Sequence, residues 1–231
     1  VQDPELRAKL TPDYTVGAKR VLVVAGYYEA LVKEHVELVT ERITGIDATG
    51  VTTADGSHRA CDVLIFGTGF VTNPFLDGID VRGRGGKAIA AHWSAGATAY
   101  RGVATHDFPN LFFLYGPNTN LGHNSILFMI EAQVRYLMGA IAAMREAGAT
   151  RVEVRRDVEI VFNERLQRRL GRTIWSSGCN SWYLDEQGRN VTLWPGFTVE
   201  YWWRTRRFDG TAYQLSSSPG AAVMAKTARA A

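Results

Sequence analysis

The sequence predicts an α/β protein: a parallel sheet carrying an antiparallel meander, followed by C-terminal helices. Three observations predict it. Residues 63–66 and 111–115 are apolar on consecutive positions, the pattern of strands covered on both faces as in a parallel sheet. The stretch "ITGIDATGVTTADGSHRACDV" alternates and breaks at Gly50 and at Asp55-Gly56, as antiparallel strands joined by tight turns do. Residues 125–147 repeat apolar side chains every three or four positions, the period of an amphipathic helix.

In chain order, residues 21–24 and 36–39 are β-branched runs read as strands, with a helical turn or two in "YYEALVKEH" between them. The meander follows. The strand at 63–66 ends in Gly67-Thr68-Gly69, where missing side chains let a ligand or another backbone approach closely. The strand at 111–115 runs into a polar turn and then the long helix, whose stripe is Leu127, Ile130, Val134, Leu137, Met138, Ile141 and Met144. Asn124 or Ser125 caps this helix and Gly148 stops it. Val152 and Val154 alternate as in a strand, and residues 157–170 form a second, more charged helix. The remainder is aromatic-rich loop and strand, and the small residues of 216–231 suit a disordered tail.

With 231 residues, 46% of them hydrophobic, the chain can fill a real core. A net charge of +3 and no lysine-rich tail argue against a nucleic-acid partner. Cys61 and Cys179 stand far apart and read as reduced thiols rather than a disulfide framework or zinc site. His35, His58, His92, His106 and His123 have no metal-ligand spacing, so no metal is expected. No apolar run long enough to span a membrane and no secretory start are evident, so the expected location is cytoplasmic. The chain opens on Val1 in what reads as the interior of a longer polypeptide, so a fragment is expected.

The richest local feature is "FPNLFFLYGPNTNLGHNSILFMIEAQ", residues 108–133. Helix N-termini leave backbone N–H groups unpaired and carry partial positive charge, which favours an anion or an electron-rich carbonyl. Asn118, Thr119, Asn120, His123 and Asn124 add polar side chains at the same place. A capped surface connection is the plain alternative, against which stands the turn's length of about ten residues. Lys19 and Arg20 precede a buried strand and read equally as a solvated edge. The arginines at 165, 168, 169 and 172, and at 204, 206 and 207, read as a solvated helix face and an edge strand.

Taken in order, "KLTPDYTVGAKRVLVVAGYYEAL", "VELVTERI", "CDVLIFGTGF", "DVRGRGG", "YRGVATHDFPNLFFLYGPNTNLGHNSILFMIEAQVRYL" and "SWYLDEQGRN" resemble the C-terminal half of flavin-dependent Baeyer–Villiger monooxygenases, within the flavin-containing monooxygenase group. The resemblance implies a partial two-dinucleotide-binding-domain flavoprotein fold. Residues 1–60 would end the NADPH-binding domain, and residues 61–215 would form the C-terminal part of the FAD-binding domain with its cofactor-closing loop. It also implies FAD and NADPH as cofactors, O2 as co-substrate, a C4a-peroxyflavin, and a small-molecule ketone or heteroatom compound as substrate.

By the same resemblance Arg20 matches the catalytic arginine over the flavin, and Lys19 the lysine set against the NADPH 2′-phosphate. Gly67, Thr68 and Gly69 match the family's "ATG" turn with Gly67 in place of alanine, while "TGFVTN" departs from the common "TGFDA". Asn118, Thr119, Asn120, Asn124, Ser125 and Ile126 would line the isoalloxazine. Leu121, Gly122 and His123 would face substrate. Trp182 matches the tryptophan of the loop that closes over NADP, here followed by "YLDEQGRN". The family's two GxGxxG fingerprints and its FxGxxxHxxxW sequence do not occur in these 231 residues, so a missing N-terminal half is the expected partner. Two other readings stand beside it: a sister flavin monooxygenase acting on amine nitrogen or sulfur, and a non-catalytic scaffold or binding module.

Overall fold

The structure is a computed structural model, and it describes residues 1–69, 75–179 and 181–217. The chain forms two compact units, one of residues 1–15 and 21–71, the other of residues 16–20 and 72–231. Residues 70–73 of "TGFVTN", and all but Ser216 and Ser217 of the expected tail, lie outside the described residues.

In the first unit, helix α1 (Pro4–Leu10) is capped by Asp3, whose carboxylate accepts from the amides of Glu5 and Leu6. A single turn, α2 (Tyr27–Leu31), falls inside "YYEALVKEH" as expected. The meander is also as expected: β1 (Ile43–Asp47), β2 (Gly50–Thr53) and β3 (His58–Ala60) pair antiparallel in that order. Gly50 is required where it stands, because a Cβ there would collide with the Arg59 carbonyl of the neighbouring strand. Asp55 closes the β2–β3 turn by accepting from Thr53 Oγ1 at 2.6 Å and the Ser57 amide at 3.1 Å, with Gly56 at a φ of 83°.

The expected strands at 21–24, 36–39 and 63–66 are not strands in the structure. Val23 and Ile65 are 98% and 88% exposed. An apolar run of the doubly covered kind forms a strand only when neighbours complete its ladder and cover both faces. Among the described residues the two sheets are β1-β2-β3 and the pair β4-β5, both antiparallel. The α/β class is therefore seen as helices with small antiparallel sheets.

The second unit is organised around α4 (Ile126–Glu146), which agrees with the expected helix. Gly148, at a φ of 61°, ends it, and its N–H donates to the Arg145 carbonyl. By length and apolar composition α4 could cross a membrane, contrary to the sequence expectation, yet one face is core. That face is Met129, Ala132, Gln133, Tyr136 and Ala140, whereas Leu127, Val134, Met138 and Ile141 of the expected stripe are exposed. Helix α6 (Thr198–Thr205) packs beside α4. Met129 and Ala132 share a core cluster with Leu121, Leu193, Trp194 and Tyr201.

β4 (Arg151–Val154) pairs antiparallel with β5 (Tyr213–Ser216), so Ser216 belongs to a strand and not to a tail. Helix α5 (Arg156–Leu170) is the expected second helix. Residues 111–115 form no strand: Asn110 and Tyr115 take positive φ values of 63° and 62°, which break the pleat. The Tyr115 amide donates instead to Gln133 Oε1 at 2.7 Å. Gln133, wholly buried, also donates from Nε2 to the Tyr201 hydroxyl at 3.0 Å, and that hydroxyl donates to the Arg101 carbonyl at 2.6 Å. One side-chain amide thus ties α4 to the turn that precedes it and to α6. Gln133→Leu should lower stability by about 1–3 kcal/mol in urea unfolding, because it strands polar groups that no other side chain serves.

Candidate functional site

The turn from Tyr115 to Ser125 is fixed from one side by residues 190–194. The Asn118 amide donates to the Val191 carbonyl at 3.0 Å, Asn120 N–H to the Thr192 carbonyl at 3.0 Å, and Trp194 N–H to the Asn120 carbonyl at 2.9 Å. Asn118, at a φ of 57°, tolerates the left-handed backbone that a branched residue would resist, and its Nδ2 donates to the carbonyls of Asn190 and Leu193 at 2.8 and 3.2 Å. Thr119 Oγ1 donates to the Gly116 carbonyl at 2.7 Å, and Asn120 Oδ1 accepts from the Leu121 amide at 2.7 Å. All three polar side chains are buried, and Leu121 lies in the core cluster.

The turn therefore divides. Asn118, Thr119, Asn120 and Leu121 brace its inside, while Gly122, His123, Asn124 and Ser125 are exposed. His123 sits edge-on to Phe197, with ring centroids 6.3 Å apart, and Gly122 lies against Trp175. Asn124 Oδ1 accepts from the Ser125 amide at 2.7 Å, and its Nδ2 donates to Thr198 Oγ1 at 3.1 Å. Ser125 holds the N-cap position of α4 with no side-chain hydrogen bond, and Ile126 opens the helix half-buried. The first-turn N–H groups are left to whatever lies in front of them.

Residues 16–20 belong to this second unit, held there by Ala18, which is fully buried, and by Gly17 against Ile174. Lys19 and Arg20 are exposed. Burial pushes the Tyr115 and Tyr183 phenols above their ordinary value, and the Arg20 charge pulls both back. Arg20 thus acts on a residue at the head of the turn and on one in the loop that follows Trp182. Among the described residues it makes no hydrogen bond or ion pair.

Trp182 is half-exposed and packs on Tyr183 with ring centroids 4.5 Å apart. The loop beyond is a closed hairpin. Asp185 accepts from Arg189 Nη2 at 2.8 Å and from the amides of Gln187 and Arg189 at 3.1 and 2.8 Å. Gly96 makes room for the Arg189 guanidinium, where a Cβ would collide with it. Gly67, Thr68 and Gly69 lie in the first unit, exposed, with Gly69 at a φ of 81° and open space where its Cβ would be.

Sequence reasoning missed Gln133 and the Asp185–Arg189 closure, and it took the arginines of α5 as a solvated face. Arg169 instead makes two bonds to Glu200 at 2.7 and 2.9 Å, and Arg204 makes a third at 3.0 Å. Gly196 stands where any Cβ would strike both Glu200 and Arg169. The spacing of Trp194, Gly196 and Glu200 held that signal. Arg165, Arg168 and Arg172 line an open groove of about 840 Å³ with Phe162 and Trp194.

No family model matches the chain. It is 48% identical to a Baeyer–Villiger monooxygenase of Pseudomonas aeruginosa over 96% of its own length and 43% of that protein. To a Baeyer–Villiger monooxygenase of Streptomyces coelicolor it is 40% identical over 100% of its length and 45% of that protein. Among solved structures it overlays on oxidized steroid monooxygenase bound to NADP with a TM-score of 0.83 at 30% identity, over 94% of this chain and 43% of that one. A closed cyclohexanone monooxygenase gives a TM-score of 0.79 at 30% identity, with 94% and 42% covered.

Fold and sequence together define a segment of a monooxygenase. It belongs with the Baeyer–Villiger monooxygenases, and it spans a little under half the length of the relatives it matches.

The Arg169–Glu200–Arg204 cluster carries a pH signature. Hydrogen bonding to Arg169, then to Arg204, holds the Glu200 carboxyl below its ordinary value. A depressed folded value means that the stabilisation is complete above the ordinary glutamate range. It is lost as pH falls through that range to the lowered value. Glu200→Gln should flatten this acid limb of Tm against pH while leaving the neutral-to-alkaline limb parallel to wild type.

Proposed function

We propose that this chain is the C-terminal segment of an FAD- and NADPH-dependent enzyme that inserts one oxygen atom of O2 into a ketone, working with the N-terminal half of the same enzyme. In this reading residues 1–60 end the NADPH-binding domain and residues 61–215 complete the FAD-binding domain, in the cytoplasm. The observation that supports it best is the placement of Arg20: a permanent cation without an ion pair among the described residues, its charge felt at Tyr115 and Tyr183. Tyr115 heads the turn that leads to the uncapped N-terminus of α4.

Those donors fit a flavin. A guanidinium and a set of unpaired helix N–H groups suit a ring system that gains negative charge on reduction. Bound FAD supplies the electron transfer and oxygen activation. The residues of this chain orient and bias it. Arg20 offsets negative charge without supplying a proton, because a guanidinium does not deprotonate at working pH. Asn124, Ser125 and Ile126 present backbone and helix-end dipole to the ring, while Asn118, Thr119 and Asn120 hold that surface rigid from behind, and Gly122 lies toward the substrate.

His123 borders the substrate, with Leu121 setting its backbone from the core. Lys19 meets the NADPH 2′-phosphate as a compact charge. Trp182, just before a hairpin closed by Asp185 and Arg189, covers the nicotinamide cofactor. Gly67, Thr68 and Gly69 give FAD a turn free of bulky side chains. The substrate is a ketone, with heteroatom compounds as slower alternatives.

Two experiments test this. Arg20→Ala in the complete enzyme should leave flavin reduction by NADPH within a few-fold of wild type and abolish ester formation from ketones; retention of ester formation would refute the role. Expressed alone, the chain should carry no FAD and oxidise no NADPH, and addition of the separately made N-terminal half should restore NADPH-dependent O2 uptake. A yellow isolated chain with one flavin per chain sinks the claim of dependence.

A further inference from the structure

Sequence spacing gives no sign of a metal site, yet the fold gathers one from residues 14 and 15 positions apart. His92 ends a short helix, α3 (Ile89–His92), and His106 and Asp107 lie on the loop that returns past it. Each of the three offers a ligand atom, and those atoms lie within 4.8 Å of one another. The two imidazoles meet edge to face, with centroids 4.5 Å apart. All three residues are half-buried, and none has a part in the proposed oxygenation.

The surrounding hydrogen bonds decide which ring nitrogens carry lone pairs. Glu159, buried at 1% exposure, is the centre. Its Oε2 accepts from His106 Nδ1 at 2.8 Å and from the His106 amide at 2.7 Å. Its Oε1 accepts from the hydroxyls of Thr105 and Thr98 at 3.0 and 3.2 Å. Because Thr105 gives its one proton to Glu159, its oxygen must accept from His92 Nε2, 2.9 Å away. His92 Nδ1 and His106 Nε2 are thereby left unprotonated. A carboxylate behind a histidine, fixing its tautomer and orientation, is the usual outer shell of a metal-bound imidazole.

Asp107 is held with equal care. It occupies a positive φ of 68°, and its amide donates to Glu153 Oε1 at 2.9 Å. The cation now facing its carboxylate is the Lys87 ammonium, at 2.9 Å from Oδ2.

We propose that His92, His106 and Asp107 form a binding site for a divalent transition cation of the zinc class. Two imidazoles and a carboxylate suit a borderline cation better than calcium or magnesium. Tetrahedral zinc with bonds of about 2.0–2.1 Å would draw the three donors together around it and leave a fourth position for water. The ion would pin α3 to the 105–107 loop. Lys87 is its competitor: the ammonium occupies the negative charge that the metal needs.

The test is equilibrium dialysis of the complete flavin-loaded polypeptide against buffered Zn2+, with elemental analysis. The expected result is one zinc per chain, with His92→Gln and Asp107→Asn each weakening binding about tenfold or more, and Glu159→Gln about 10–100-fold. Lys87→Met, which removes only the ammonium's bond to Asp107 and leaves the hydrogen bonds around Glu159 intact, should tighten binding. Absence of stoichiometric zinc, or zinc held equally by wild type and by His92→Gln, overturns the site, as does a Lys87→Met protein whose zinc affinity is unchanged.

Discussion

The backbone zip between residues 118–120 and 191–194 is the constraint on which the rest of the second unit depends. It is short, but its members are buried and mutually exclusive with solvent: an unpaired amide at Asn118 or Trp194 would cost more than the bond itself contributes. The zip fixes where the turn lies, Gln133 fixes where α4 lies relative to that turn, and Tyr201 fixes α6 relative to both. A helix end can act on a ligand only if it is held still, and here the turn, α4 and α6 are bound to one another by named polar contacts.

That arrangement explains why so polar a turn sits between apolar segments. Its asparagines do not face outward as a group. Asn118 and Asn120 satisfy backbone that is folded against another loop, work that an apolar residue cannot do, and past this clamp the stretch from Gly122 to Ser125 reaches the surface. A turn of this length is two structures in series, an internal clamp followed by an exposed lip.

The features legible in the sequence were those whose causes are local. Asp55-Gly56 writes its turn into φ preferences, Gly148 writes the end of α4, and the 3.6 period of α4 and α5 is visible without partners. The runs at 21–24 and 63–66 failed as strands for the complementary reason: their pattern encodes burial by neighbours, and pattern alone cannot supply them. The buried face of α4 departs from the apolar stripe because partners remote in sequence set it: Met129 and Ala132 pack with Trp194 and Tyr201, and Tyr136 packs with Val152 and Tyr213. In the candidate site the residue types were legible and their orientation was not, since the hydrogen bonds of Asn118 run to residues some 72 to 75 positions away.

The treatment of charge in the second unit gives the last step. Several arginines of the second unit are met by an acid: Arg169 and Arg204 share Glu200, Arg189 closes on Asp185, and Arg101 meets Asp209. Glycines are even placed to let these pairs approach, at Gly196 and Gly96. Arg20 has no such acid among the described residues, although its charge reaches the phenols of Tyr115 and Tyr183. A cation within reach of two phenols, with no ion pair among the described residues, adds positive potential to this part of the second unit. An exposed cation without a partner acid adds little to the stability of a fold, so its charge stays open to whatever group approaches it.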